Sequence, residues 1–163
     1  MSEPRLHEKL IAKKIADLID EKLAESMGLK LVTVGALEFF PALENLANNV
    51  PAVFVKPAPS TTLERITTGQ TYRIVYNFRI VFVKLFGPNE EIVISKIVDT
   101  QKIAELLIDN VDLSGLALPN GQILFSTLKT IEWEPPEDNL VAAINADMTA
   151  SALMFEVQAT SRK

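Results

Sequence analysis

The stretch TYRIVYNFRIVFVKLF, Thr71 to Phe86, decides the fold. Tyr72, Ile74, Tyr76, Phe78, Ile80, Phe82 and Phe86 share one face at period two, the repeat of a β-strand. The other face carries Arg73, Asn77 and Arg79, then Val81, Val83 and Leu85. The first half therefore reads as half-exposed and the second as buried on both sides. Sixteen extended residues reach about 53 Å, beyond the usual strand. Such a strand bends, carries a bulge, or leaves the globule as an extended β arm around residues 60–86. Gly87-Pro88-Asn89 ends it.

Working toward the N-terminus, residues 61–68 are placed to pair with this strand across Thr68-Gly69-Gln70. Pro51 to Pro57 is a short strand fenced by two prolines, which suits an edge or a strand start. Phe39-Phe40-Pro41 breaks periodicity, and Pro41 to Ala47 reads as one or two helical turns. Leu29 to Val34 alternates and is read as a strand. Residues 3–27 form a long helix in which Ile11, Ile15, Ile19, Leu23 and Met27 step by four into one apolar stripe. Ser2 caps it, Pro4 is tolerated in the first turn, and Gly28 stops it by taking the left-handed position.

Toward the C-terminus, Asn89 caps a second helix, with Glu90 and Glu91 in a first turn whose dipole favours acids. It fades near Asn110. The β-branched residues at 92–98 leave a strand as the alternative there. Asp112 to Pro119 is a loop and Asn120-Gly121 a turn. Gln122 to Trp133 alternates, with Ile123, Phe125, Ile131 and Trp133 on one side. Glu134-Pro135-Pro136-Glu137-Asp138-Asn139 reads as an acidic proline loop, and Met148 to Gln158 as the last strand. The order predicts a single α+β domain over residues 1–163: one mostly antiparallel sheet with two main helices packed on one face. Two helices leave part of such a sheet bare, and a bare aromatic-rich face predicts association with copies of the chain or with a partner.

Composition narrows the chemistry. At 163 residues and 48 % hydrophobic content, the chain can build a real core. Lys plus Arg is 16 against 21 for Asp plus Glu, a net charge of −5, which argues against gripping DNA or anionic lipid. With no cysteine there is no disulfide, thiolate nucleophile or Cys-held metal, and one histidine excludes any site needing two imidazoles in one chain. The chain has no Gly-x-Ser-x-Gly elbow, Walker loop or dinucleotide fingerprint. No apolar run approaches the roughly 20 residues that span a bilayer; Ile80 to Val83 is among the longer ones. The start, Met1-Ser2-Glu3-Pro4, leads into a charged amphipathic stretch, so a soluble protein made in the cytoplasm is expected, with no membrane partner.

Three groups remain as candidates. His7, beside Glu8 and Lys9, reads as a surface histidine. Glu132, Glu134, Glu137 and Asp138 form the densest acidic patch. Paired carboxylates can run acid–base chemistry or hold Mg²⁺ or Ca²⁺, but two prolines split this group. A solvated loop is the plain reading, and an acidic rim or lumen that repels DNA phosphates is the functional one. Tyr72, Arg73, Asn77 and Arg79 make a candidate oligomer or partner surface. The two arginines suit ion pairs across strands or subunits better than a phosphate stripe. No catalytic residue, metal site or cofactor is assigned.

An amphipathic N-terminal helix ends at Gly28. A short strand follows at Pro51-Ala52-Val53-Phe54-Val55, then the long strand Tyr72 to Val83 and a helix through Ile103-Ala104-Glu105-Leu106-Leu107. A penultimate strand precedes a loop, and the chain closes with Ala152-Leu153-Met154-Phe155-Glu156-Val157. This layout resembles the tail-terminator (tail-completion) proteins of long-tailed bacteriophages, over most of the chain. The resemblance implies a non-enzymatic virion protein, assembled in the host cytoplasm, that forms a homo-oligomeric ring, usually a hexamer. The ring caps the tail tube, ends tube polymerisation and offers a head–tail joining surface to a connector or neck protein, while DNA passes through without specific binding. The alternatives are a neck or head-completion protein, a small divalent-metal enzyme using the carboxylates near residue 134, and a domain binding a small ligand under the 72–86 strand.

Overall fold

The structure, a computed structural model, describes residues 6–37, 43–66 and 71–161. In chain order the elements are α1 (Glu8–Met27), β1 (Leu31–Val34), a 3-10 helix (Leu43–Asn49), β2 (Ala52–Pro57), β3 (Thr62–Arg65), β4 (Tyr72–Leu85), α2 (Ile92–Ile108), β5 (Ala117–Leu118), β6 (Gly121–Glu132), α3 (Pro136–Ile144) and β7 (Met148–Ser161). The fold is α+β. One seven-stranded sheet runs β1-β2-β4-β7-β6-β5, with β3 also paired to β4. Only β1 with β2 is parallel; every other pairing is antiparallel.

The alternating stretch is β4, the spine of the sheet. It pairs residue for residue with β7, from Tyr72 opposite Ser161 to Leu85 opposite Met148, with no register shift. Its other edge is shared: β3 takes residues 72–75 and β2 takes 78–83. Alternation then sorts the side chains. Tyr76, Phe78, Ile80 and Phe82 point at the long helices and form one core with Ile11, Ile15 and Ile19 of α1, Ile103 and Leu107 of α2, and Leu153, Phe155 and Val157 of β7. Val81 and Val83 join Phe54, Ala150 and Ala152 on the opposite face, under Leu46 and Val50 on one side and Val141 of α3 on the other. The second face is thus covered at one end, which is why β4 changes from half-exposed to fully buried along its length.

Several local expectations are corrected. α1 starts at Glu8 rather than residue 3, with His7 as its N-cap; Ser2 lies outside the described residues. Gly28 does close it, at φ 65° and ψ 33°. β2 is an interior strand, so of the two alternatives for its prolines the edge fails and the strand start holds: Pro51 directly precedes it and Pro57 is its last residue. Residues 92–98 are helical. Glu91, not Asn89, caps α2, its carboxylate accepting the Ile94 N–H at 2.7 Å. Packing of Lys96, Thr100, Ile103 and Leu107 outweighs the weak propensity of the β-branched residues. The turn between residues 41 and 47 is the 3-10 helix, whose first expected residues fall outside the described ones.

The acidic proline segment is not a loop. It opens α3, with Pro135 as N-cap and Pro136 at the first helical position, where its missing N–H costs nothing. Glu137 and Asp138 sit in the first turn, where the helix dipole favours negative charge. The alternation expected along Gln122 to Trp133 is interrupted twice in β6, between Ile123 and Phe125 and between Leu128 and Thr130. Phe125 is consequently 44 % exposed. No helix among the described residues is long and apolar enough to cross a membrane.

Candidate interaction face

The half of the second face left uncovered presents alternate residues of adjacent strands. β4 contributes Arg73, Val75, Asn77 and Arg79, and β7 contributes Glu156, Gln158 and Thr160 in register with them. Arg73, Asn77 and Arg79, singled out from the sequence, share this surface. Arg73 is exposed and the other two are half-buried. Tyr72 lies on the opposite face, packed at the margin of the main core. The Arg65 guanidinium caps it, donating to its hydroxyl at 3.0 Å and lying 5.6 Å from the ring centre. Asn77 donates to the Ser60 carbonyl at 3.4 Å, and Lys129 pairs with Glu156 at 3.4 Å.

At the border with the covered half, Arg79 gathers two of the predicted acids. Its Nε and Nη2 donate to the two Glu137 oxygens, each at 2.7 Å, in the bidentate form. Nη2 also reaches Glu132 Oε2 at 3.0 Å. These hydrogen bonds hold the Glu137 carboxyl below its usual range and the Arg79 guanidinium above its own. A groove of about 440 Å³ lies here, lined by Lys56, Arg79, Glu132, Pro136, Glu137 and Leu140. Glu137 and Glu132 therefore share one cation, and Glu134 alone of the four is exposed.

Asp138 has a different partner. The β6–β7 ladder stops at Glu132 opposite Ala152. Beyond it, Asp138 Oδ1 accepts the Ala150 N–H at 2.9 Å and the Thr149 hydroxyl at 2.7 Å. From α2, Lys96 Nζ donates to the Ala150 carbonyl at 2.6 Å and stands 3.7 Å from Asp138. Two side chains thus replace the missing strand. Lys96 is completely buried, and burial pushes its pKa down. Nothing in its spacing marked this lysine; its place one helical turn before Thr100 is the only sequence trace.

His7 is buried, contrary to the expected surface position. Its ring Nε2 lies 3.0 Å from the Pro119 carbonyl, and its backbone N–H donates to the Tyr76 hydroxyl at 3.2 Å. It pins the start of α1 to the sheet. Among the described residues, no group of three or more His, Asp or Glu side chains is arranged to hold a metal ion.

No family profile matches the sequence, and no curated protein matches it. Among solved structures, the fold is similar to that of a chain from the virion of a native gene transfer agent particle. The superposition covers 93 % of this chain and 97 % of that one, with a TM-score of 0.55 and 16 % identity. At that identity the likeness establishes a shared fold.

Proposed function

We propose that this chain is a structural virion protein, and specifically a tail terminator: a non-enzymatic ring component that caps the tail tube, ends its polymerisation and offers the head-joining surface. The observation that carries the reading is the near end-to-end likeness to a chain of a gene transfer agent virion. The half-covered sheet face supports it, because a virion component works through surfaces that other subunits cover. The negative net charge suits a channel through which DNA slides without sticking.

Isolated tail tubes and DNA-filled heads, each incubated with the purified chain and imaged by electron microscopy, test the reading. Density at one end of the tubes, with arrest of tube growth when the chain is added to polymerising tube protein, is the expected result. Binding to heads alone moves the chain to the neck. Binding to neither removes the virion reading.

A further inference from the structure

The site where Lys96 and Asp138 meet holds an amine, a carboxyl and two aligned donors, the parts that acyl chemistry uses. Lys96 Nζ donates to the Ala150 carbonyl at 2.6 Å and to the Thr149 hydroxyl oxygen at 2.9 Å. It stands 3.7 Å from Asp138 Oδ2. A lysine serving only as a counter-ion closes to about 2.7–2.9 Å of its carboxylate; this one makes its short contacts with neutral oxygens. The other carboxyl oxygen, Oδ1, accepts the Thr149 hydroxyl at 2.7 Å and the Ala150 N–H at 2.9 Å. Two donors converging on one oxygen are the arrangement that holds the charge of a tetrahedral intermediate.

Burial prepares the amine. Lys96 and Thr149 are 0 % and 1 % exposed. Desolvation outweighs the pull of Asp138, Glu134 and Glu91 toward the ammonium form, and the Lys96 pKa falls. Bulk water does not reach Nζ to compete with it. The two reacting groups belong to elements fixed by the same core, so their encounter carries no further translational cost. The Asp138 side chain is 23 % exposed, which leaves a small product a way out.

We infer that Lys96 and Asp138 join in an intramolecular isopeptide bond. One proton passes from the Nζ ammonium to Oδ2, leaving a neutral amine beside a carboxylic acid. The Nζ lone pair then attacks Cγ, and the charge that grows on Oδ1 is held by the Thr149 hydroxyl and the Ala150 N–H. A second proton moves from Nζ to Oδ2, the Cγ–Oδ2 bond breaks, and Oδ2 leaves as water. Nζ keeps its third proton as the amide N–H. Nothing is oxidised or reduced, and no co-reactant is needed. The bond ties α2 to α3 at the end of β7 that β6 does not reach, and it closes the chain from residue 96 to residue 138 into a loop that persists on unfolding. It stands independently of the virion reading.

Intact-mass spectrometry of the purified full chain, sampled over days at neutral pH, tests this. The expected mass is that of the sequence less one water. Trypsin should then release one branched peptide joining residues 85–102, uncut after Lys96, to residues 130–162. Lys96→Arg should keep the full sequence mass. A wild-type chain that holds its full mass throughout overturns the inference and leaves the pair as hydrogen bonds and an ion pair only. So does water loss confined to a single peptide, which is aspartyl succinimide, and so does equal water loss in Lys96→Arg. The deciding mass is read on the wild type, so the result does not depend on any variant folding.

Discussion

Tyr76 converts burial into a measurable pH limit. It is wholly inaccessible, and burial pushes its phenol up to about 12, partly offset by the His7 N–H that donates to it. A folded pKa raised above the unfolded value near 10 means stability is complete below pH 10 and is lost as pH climbs through 12. The gap corresponds to roughly 2–3 kcal/mol. Stability should therefore fall steeply in that window when tyrosine absorbance and circular dichroism are followed together. Tyr76→Phe should remove the window and cost about 1 kcal/mol at neutral pH, because the His7 N–H loses its acceptor. Arg79 sets an acid limit by the same logic. Its hydrogen bonds lower the Glu137 pKa, so the stability they give is present above the unfolded carboxylate range and fades as pH drops through the folded value. Arg79→Met should leave Glu137, 8 % exposed, without its partner and cost about 3 kcal/mol at pH 7. The penalty should shrink as the medium becomes acidic and Glu137 takes up its proton; urea melts of both proteins from neutral to acid pH measure it.

Between elements, the decisive contacts join segments far apart in sequence, and this sets what the sequence discloses. The spacing of Tyr72 to Phe82 places β4 because period two is a local signal. The stripe at Ile11, Ile15 and Ile19 and the stop at Gly28 place α1 for the same reason. The turn at Asn120-Gly121 is equally local, with Asn120 at φ 57°; the demand for glycine at 121 has a second, distant cause, the Thr160 carbonyl that a Cβ there would meet. α3 was hidden because Pro135-Pro136 followed by acids reads as a loop or as a helix start, and Leu140, Val141 and Ile144 decide only once β7 lies beneath them. The bulges of β6 are invisible because they answer to β7, not to their own residues. The clamp of Lys96 and Asp138 on Ala150 joins three separate elements and leaves no local trace. Asp138→Ala should cost about 2 kcal/mol, since it strips partners from the Ala150 N–H, the Thr149 hydroxyl and the buried Lys96 together. Amide exchange is the sharper readout. Ala150 should lose protection, while the β7 amides from Leu153 to Ala159, held between β4 and β6, keep theirs.

At the scale of the whole molecule, a residue list is a weaker guide than the distribution of charge and apolar area over the surface. Arg73, Asn77 and Arg79 were identified by parity along one strand, and parity places them on one face. Parity gives no warning that Glu137 would fold back onto Arg79, because that pairing depends on the unforeseen α3. The exposure of Ile94 and Val98 was unreadable for a related reason: a helix apolar on both sides gives no clue to which side the sheet takes. Ile94 and Val98 are 66 % and 61 % exposed, so Ile94→Gln with Val98→Gln should leave stability within about 0.5 kcal/mol of the wild type, read from urea melts. A loss of more than about 2 kcal/mol would place both side chains inside the packing that holds α2 to the sheet.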